Sequence, residues 1–131
     1  MNQLSVQNVV KKVTDMQEIK SYTDLEQSKK LAEILPLESA DMCYLQENGQ
    51  AKTISPLKLS EILNVSKPQV IPCWSLVSLL GILPNGIVMN KDSQNGKYHC
   101  SSKYIGTYVT ADNPVDACVA MVEKLHELNL L

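Results

Sequence analysis

The sequence predicts an α+β fold: a small antiparallel sheet made from two hairpins, packed against four or five helices. Three observations carry this. Asn-Gly pairs at 48–49 and 95–96 each separate two short strand-like runs, and Asn-Gly supplies the positive φ angles of a tight hairpin turn. Capped amphipathic segments alternate with those hairpins. Finally, aromatic residues make up 5% of a chain that is 44% hydrophobic, with no Phe, so Leu, Val, Ile and Met must fill the core. At 131 residues the chain fits one domain over 1–131, with residues 1–22 as a candidate separately packed N-terminal helix.

Taken in order, Val6, Val9, Val10, Val13 and Met16 recur at spacings of three and four and mark one face of that first helix. Thr23-Asp24 opens a second helix over 24–35, lined by Leu25, Ser28, Leu31, Ala32 and Leu35 and stopped by Pro36. Residues 42–46 and 51–54 form the first hairpin. A short helix follows over 56–64, and 65–72, with two prolines, reads as a loop. Pro72 then suits the first position of a helix over 73–83, where its missing N–H costs nothing. Apolar residues surround that helix on nearly every side, which marks it as the central one. Pro84-Asn85-Gly86 ends it.

The second hairpin pairs 86–89 with 97–101, and 104–110 adds a third strand by alternation. Asn113 as N-cap, Pro114 at N1 and Asp116 at N3 agree in opening the last helix. Val115, Cys118, Val119, Val122, Leu125 and Leu128 form its buried stripe.

Composition excludes more than it proposes. All 12 basic residues are Lys, and the net charge is −2. Bidentate recognition of guanine or phosphate is mainly the work of Arg, so nucleic acid is not the expected partner. The longest apolar stretch, 71–84, is interrupted by Pro72, Ser75, Ser78 and Gly81, too short and polar for a membrane span. No secretion signal is visible, and the expected location is cytoplasmic. Cys43, Cys73, Cys100 and Cys118 stand 30, 27 and 18 residues apart, without the close pairs of a zinc site. Buried, reduced thiols are expected, with no metal and no cofactor.

Candidate chemistry is thin. Nucleotide-binding, zinc-protease and nucleophile-elbow motifs are absent. His99 and Cys100 are adjacent, and neighbours on a strand point to opposite faces, so they cannot form a dyad with each other. A cysteine-dependent enzyme would need His99 and another thiol brought together in space. His126 suits the negative end of the last helix. Asp112 and Asp116 fit helix capping. Trp74 is either a core residue or an anchor on a binding face. Tyr98, Tyr104 and Tyr108, interleaved with Lys97 and Lys103, resemble a base-stacking platform, though half-exposed sheets hold such residues ordinarily. Binding-surface candidates are Trp74, Tyr98, His99, Lys103 and Tyr104.

Residues 57–70, Leu-Lys-Leu-Ser-Glu-Ile-Leu-Asn-Val-Ser-Lys-Pro-Gln-Val, resemble a degenerate helix-turn-helix, the basis of an alternative as a DNA-binding regulator. Pro72 cuts short the recognition helix this would need, so 65–71 is expected to be an irregular loop leading to a fresh helix.

Ile71-Pro72-Cys73-Trp74-Ser75-Leu76 with Leu79-Leu80, Leu31-Ala32-Glu33-Ile34-Leu35-Pro36 with Ser39-Ala40-Asp41-Met42, and the run from Asp112 to Met121 together carry a wider resemblance. They are similar to small uncharacterised proteins encoded in phages and mobile elements of gut bacteria. The resemblance implies a genomic setting and no activity. The expectation is a non-catalytic accessory or interaction protein with a protein partner.

Overall fold

A computed structural model describes residues 19–47, 50–54 and 69–131. Helix α1 (Leu25–Ile34) and a 3-10 turn (Leu37–Ser39) lead into strands β1 (Met42–Glu47), β2 (Gln50–Ile54) and β3 (Gln69–Cys73). Helix α2 (Leu76–Ile82), strands β4 (Ile87–Lys91), β5 (Tyr98–Ser102) and β6 (Tyr108–Ala111), and helix α3 (Pro114–Glu127) complete the chain. The strands form two antiparallel three-stranded sheets, ordered β2-β1-β3 and β4-β5-β6. The α+β class stands, but the single sheet becomes two. Three α-helices are found among the described residues; the helix expected over 56–64 and residues 1–18 of the one expected over 1–22 lie outside them, and 19–22 are not helical.

The difference has one main cause, β3. Residues 69–73 form neither a loop nor a helix start but a strand paired with β1 in the register Met42–Cys73 to Gln46–Gln69. Pro72 lies opposite Cys43, on an edge strand, where a missing N–H is tolerated. Helix α2 therefore starts three residues later than expected, with Ser75 as its cap.

Helices α1 and α2 are built alike. Asp24 accepts a hydrogen bond from Gln27 N at 2.8 Å and completes a capping box, while Ser75 accepts from Ser78 N at 3.2 Å. Each helix closes with a buried leucine and a proline. Leu35 N donates to Leu31 O, Leu83 N to Leu79 O, and both capping leucines turn extended because Pro36 and Pro84 follow. The two entry segments pair with each other: Thr23 N donates to Trp74 O at 2.9 Å and Leu76 N to Ser21 O at 3.0 Å.

The core centres on α3, not on α2. Val115, Ala117, Cys118, Val119, Met121, Val122 and Leu125 are all buried, whereas Val77 and Leu80 of α2 are 79% and 47% exposed. Leu128, expected in the stripe, is exposed past the helix end. Helix α3 packs on β5 and β6 and touches α1 and α2, and α1 packs on β3. Its start is as the sequence reads: Asn113 Oδ1 accepts from Asp116 N at 2.8 Å, with Pro114 in the first turn. Each fully buried Val, Leu or Met contributes about 1.5–3 kcal/mol.

Two polar clusters fix the entry of α1. Lys20 Nζ reaches Asp24 at 3.0 Å and Asp116 at 2.8 Å, joining the entries of α1 and α3. Thr23 and Ser28, both fully buried, share a hydroxyl hydrogen bond of 2.8 Å beside the thiol of Cys73. Burial of these groups is tolerable because each is satisfied.

Candidate binding face

Alternation along the second sheet sorts its side chains. Ile87, Met89, Tyr98, Cys100, Val109 and Ala111 turn inward onto the core. The intervening residues therefore face outward, and register sets them in two rows: Val88–Ser101–Tyr108 and Asn90–His99–Thr110. Such one-sided burial is characteristic of an antiparallel sheet with one face in water.

In the second row His99 Nδ1 lies 3.0 Å from Thr110 Oγ1, and its Nε2 lies 3.3 Å from Asp92 Oδ2. The order carboxylate, imidazole, hydroxyl is that of a nucleophilic triad. A hydroxyl nucleophile also needs donors converging on an oxyanion. Thr110 Oγ1 instead projects from an open sheet face, with His99 as its partner among the described residues. The array works as a clamp, holding the turn after β4 against β5 and β6. Asp92 sits below the usual carboxylate range chiefly because Gln94 N donates to it, with His99 second.

The thiols do not join this array. All four cysteines are buried thiols, none in a disulfide, and Cys100 points to the opposite face from His99. Burial pushes each thiol up, Cys118 to about 12 with Cys100 nearby, which favours the protonated thiol over the nucleophilic thiolate. No group of three His, Cys, Asp or Glu among the described residues could hold a metal.

At the end of the sheet the turn 103–107 and the first residue of β6 expose large apolar side chains. Tyr104 is 82% exposed, Tyr108 70% and Ile105 39%. Their mount is fixed. Ser102 Oγ accepts from the N–H groups of Tyr104 (3.3 Å) and Ile105 (3.2 Å), and Lys103 N donates to Gly86 O at 3.0 Å. Gly86 takes a φ of +88°, and a Cβ there would stand 2.4 Å from the Tyr104 ring. The ring thus rests on the glycine backbone while its outer face meets solvent.

Of the five residues expected on a binding surface, the structure brings His99, Lys103 and Tyr104 to this sheet's open side and end. Trp74 is not among them. It is fully buried, its indole N–H donating to Ser39 Oγ at 3.0 Å. Tyr98 packs inward, with Lys91 Nζ 5.5 Å from its ring centroid, so the tyrosines do not form one stacking platform. His126 is exposed on the last turn of α3. Sequence reasoning missed Asp92, Ile105 and Thr110, whose meeting depends on hairpin register rather than on residue type. The helix-turn-helix reading loses its end, since 69–73 is a strand, and the rest of it lies outside the described residues.

No helix among the described residues is long and apolar enough to cross a membrane. No protein-family model, curated protein or solved structure matches this chain.

Proposed function

We propose that this chain is a non-catalytic interaction protein, in keeping with its resemblance to phage and mobile-element proteins, and that the open side and end of the second sheet are its docking face. The observation that carries the reading is the exposure of Tyr104 and Ile105 on a turn fixed by Ser102, with Tyr108 exposed at the start of β6. Large amphipathic side chains that are already ordered lose little entropy on binding, and Tyr is enriched among residues that anchor interfaces. Val77 and Leu80 are exposed as well, but they lack a polar handle.

The partner's chemistry follows from charge. Residues 87–112 carry Lys91, Lys97 and Lys103 against Asp92 and Asp112, one net positive charge, while the rest of the chain carries three net negative ones. An acidic protein surface with apolar anchors fits this pole of the molecule.

Quantitative affinity capture from the native host, comparing wild type with Tyr104→Ser/Tyr108→Ser and with Val77→Ser, tests the reading. A partner lost only with the tyrosine variant, and released by salt, is the expected result. Equal capture by all three proteins would sink it. Saturable binding of single-stranded DNA that depends on the same tyrosines would replace it with a base-stacking role.

A further inference from the structure

We infer that Asn85–Gly86 is a site of spontaneous backbone modification, and that the fold selects it over Asn95–Gly96. The chemistry is that of the Asn-Gly unit. The Gly backbone nitrogen attacks the Asn side-chain carbonyl carbon, an N–C bond forms, and ammonia leaves with the former amide proton. Water then opens the cyclic imide at either carbonyl, giving aspartate or a β-linked isoaspartate, with no change of oxidation state. Glycine permits the attack because it has no Cβ to shield its nitrogen.

Both pairs are exposed at their asparagine, but the structure treats them differently. In the hairpin turn, Gly96 N donates to Asp92 O at 2.9 Å, and Asn95 Oδ1 accepts from Lys97 N at 2.9 Å. The nucleophile is engaged, and its hydrogen bond to Asp92 must open before reaction, while the bond at Asn95 Oδ1 pins the side chain to the turn. At the end of α2, Gly86 uses its carbonyl, which accepts from Lys103 N, and no acceptor takes its N–H among the described residues. The Asn85 side chain has no hydrogen bond there either.

The site matters because of what rests on it. An isoaspartate adds one methylene to the main chain before Gly86, a displacement of about 1.5 Å. The Tyr104 ring rests directly on Gly86, so the longer main chain must displace it from its seat toward solvent.

Peptide mapping of the full chain during incubation in mildly alkaline buffer, native and in concentrated urea, tests this. In the native protein, conversion at Asn85 is expected to run about five-fold faster than at Asn95, the equivalent of one neutral hydrogen bond opening first. In urea the two rates should converge, and Asn85→Gln should abolish the product at that peptide alone. Equal native rates, faster reaction at Asn95, or a difference that persists in urea would overturn the inference.

Discussion

The two sheets of this molecule have the same strand count and differ in how their strands find each other. The second, β4-β5-β6, is a meander whose neighbours in sequence are neighbours in space. The first places β1 in the centre, pairs it with β2, and completes itself with β3 from beyond residue 68. Local pairing leaves its mark in turn residues and alternation, while the distant pairing leaves almost none. The open face of the second sheet follows from its alternation, and the joint between the sheets falls at Trp74, immediately after β3. The same difference separates aromatic residues that hold the fold from those that face solvent.

The largest effect should come at that joint. Trp74→Ala removes a fully buried side chain and its bond to Ser39, and is expected to cost ~3–5 kcal/mol in urea unfolding followed by circular dichroism. Tyr104→Ala, at 82% exposure, should stay within about 0.5 kcal/mol. Comparable losses in both would erase the distinction between joint and face.

Next in size is the contrast between the helices. Met121→Ala in α3 should cost ~2–5 kcal/mol, because the side chain is fully buried among residues of both halves. Leu80→Ala in α2 should cost about 0.5 kcal/mol or less, since the helix turns that residue to solvent. The reverse order would restore α2 to the centre that its all-round apolar sequence suggests.

A smaller effect, about 1 kcal/mol, is expected of Asp116→Ala, which deletes the acceptor of Lys20, Gln27 and Asn113 where the entries of α1 and α3 meet. With 35% of the side chain exposed, solvent screening keeps the figure low. Partial burial opposes the charge on Asp116, but those three hydrogen bonds outweigh it and hold the carboxyl below its ordinary 3.8. The unfolded chain therefore binds more protons as pH falls, so the contribution is full above that ordinary value and lost as pH drops through the folded one. Lys20 mirrors it: burial opposes its charge, the bonds to Asp116 and Asp24 prevail, and its value is raised above 10.5. That contribution is lost only as pH rises through the raised value. Stability curves of wild type and variant should run parallel at neutral pH and converge in acid; a gap unchanged by acid would mean that packing, not the ion pair, is the link.

Much of the fold was legible because it is local. Asn113, Pro114 and Asp116 announce α3, Asp24 announces α1, and both hairpins lie within a residue or two of where alternation puts them. The phase of alternation was harder to read than its presence. Tyr98 and Tyr104 look equivalent in sequence, yet one turns inward and the other caps the sheet's end, because residues 103–105 form a turn and the strand begins only at Tyr108. The His99 clamp needed the register of two ladders, which sequence does not supply. Pro72 was misread for a different reason: proline suits both the first turn of a helix and an edge strand, and only the partner strand decides between them.

Pro72 is thus where the comparison of the sheets can be broken most cheaply. A proline in a ladder can occupy only a pair whose N–H would point away from the partner, so its nitrogen faces the outer side of β3 rather than β1. Pro72→Val should therefore leave the bonds to β1 intact and suit a half-buried strand position by its side chain. Loss of the ring's rigidity acts through the unfolded chain and is expected to cost under about 1 kcal/mol. The new N–H, however, adds a donor to the middle of a strand edge, the feature that invites pairing with another chain. Sedimentation over a range of concentrations should show the variant associating more than wild type, with unchanged helical circular dichroism. A clear loss of helix signal, without association, would mean instead that Pro72 begins α2 and that the first sheet ends at β1.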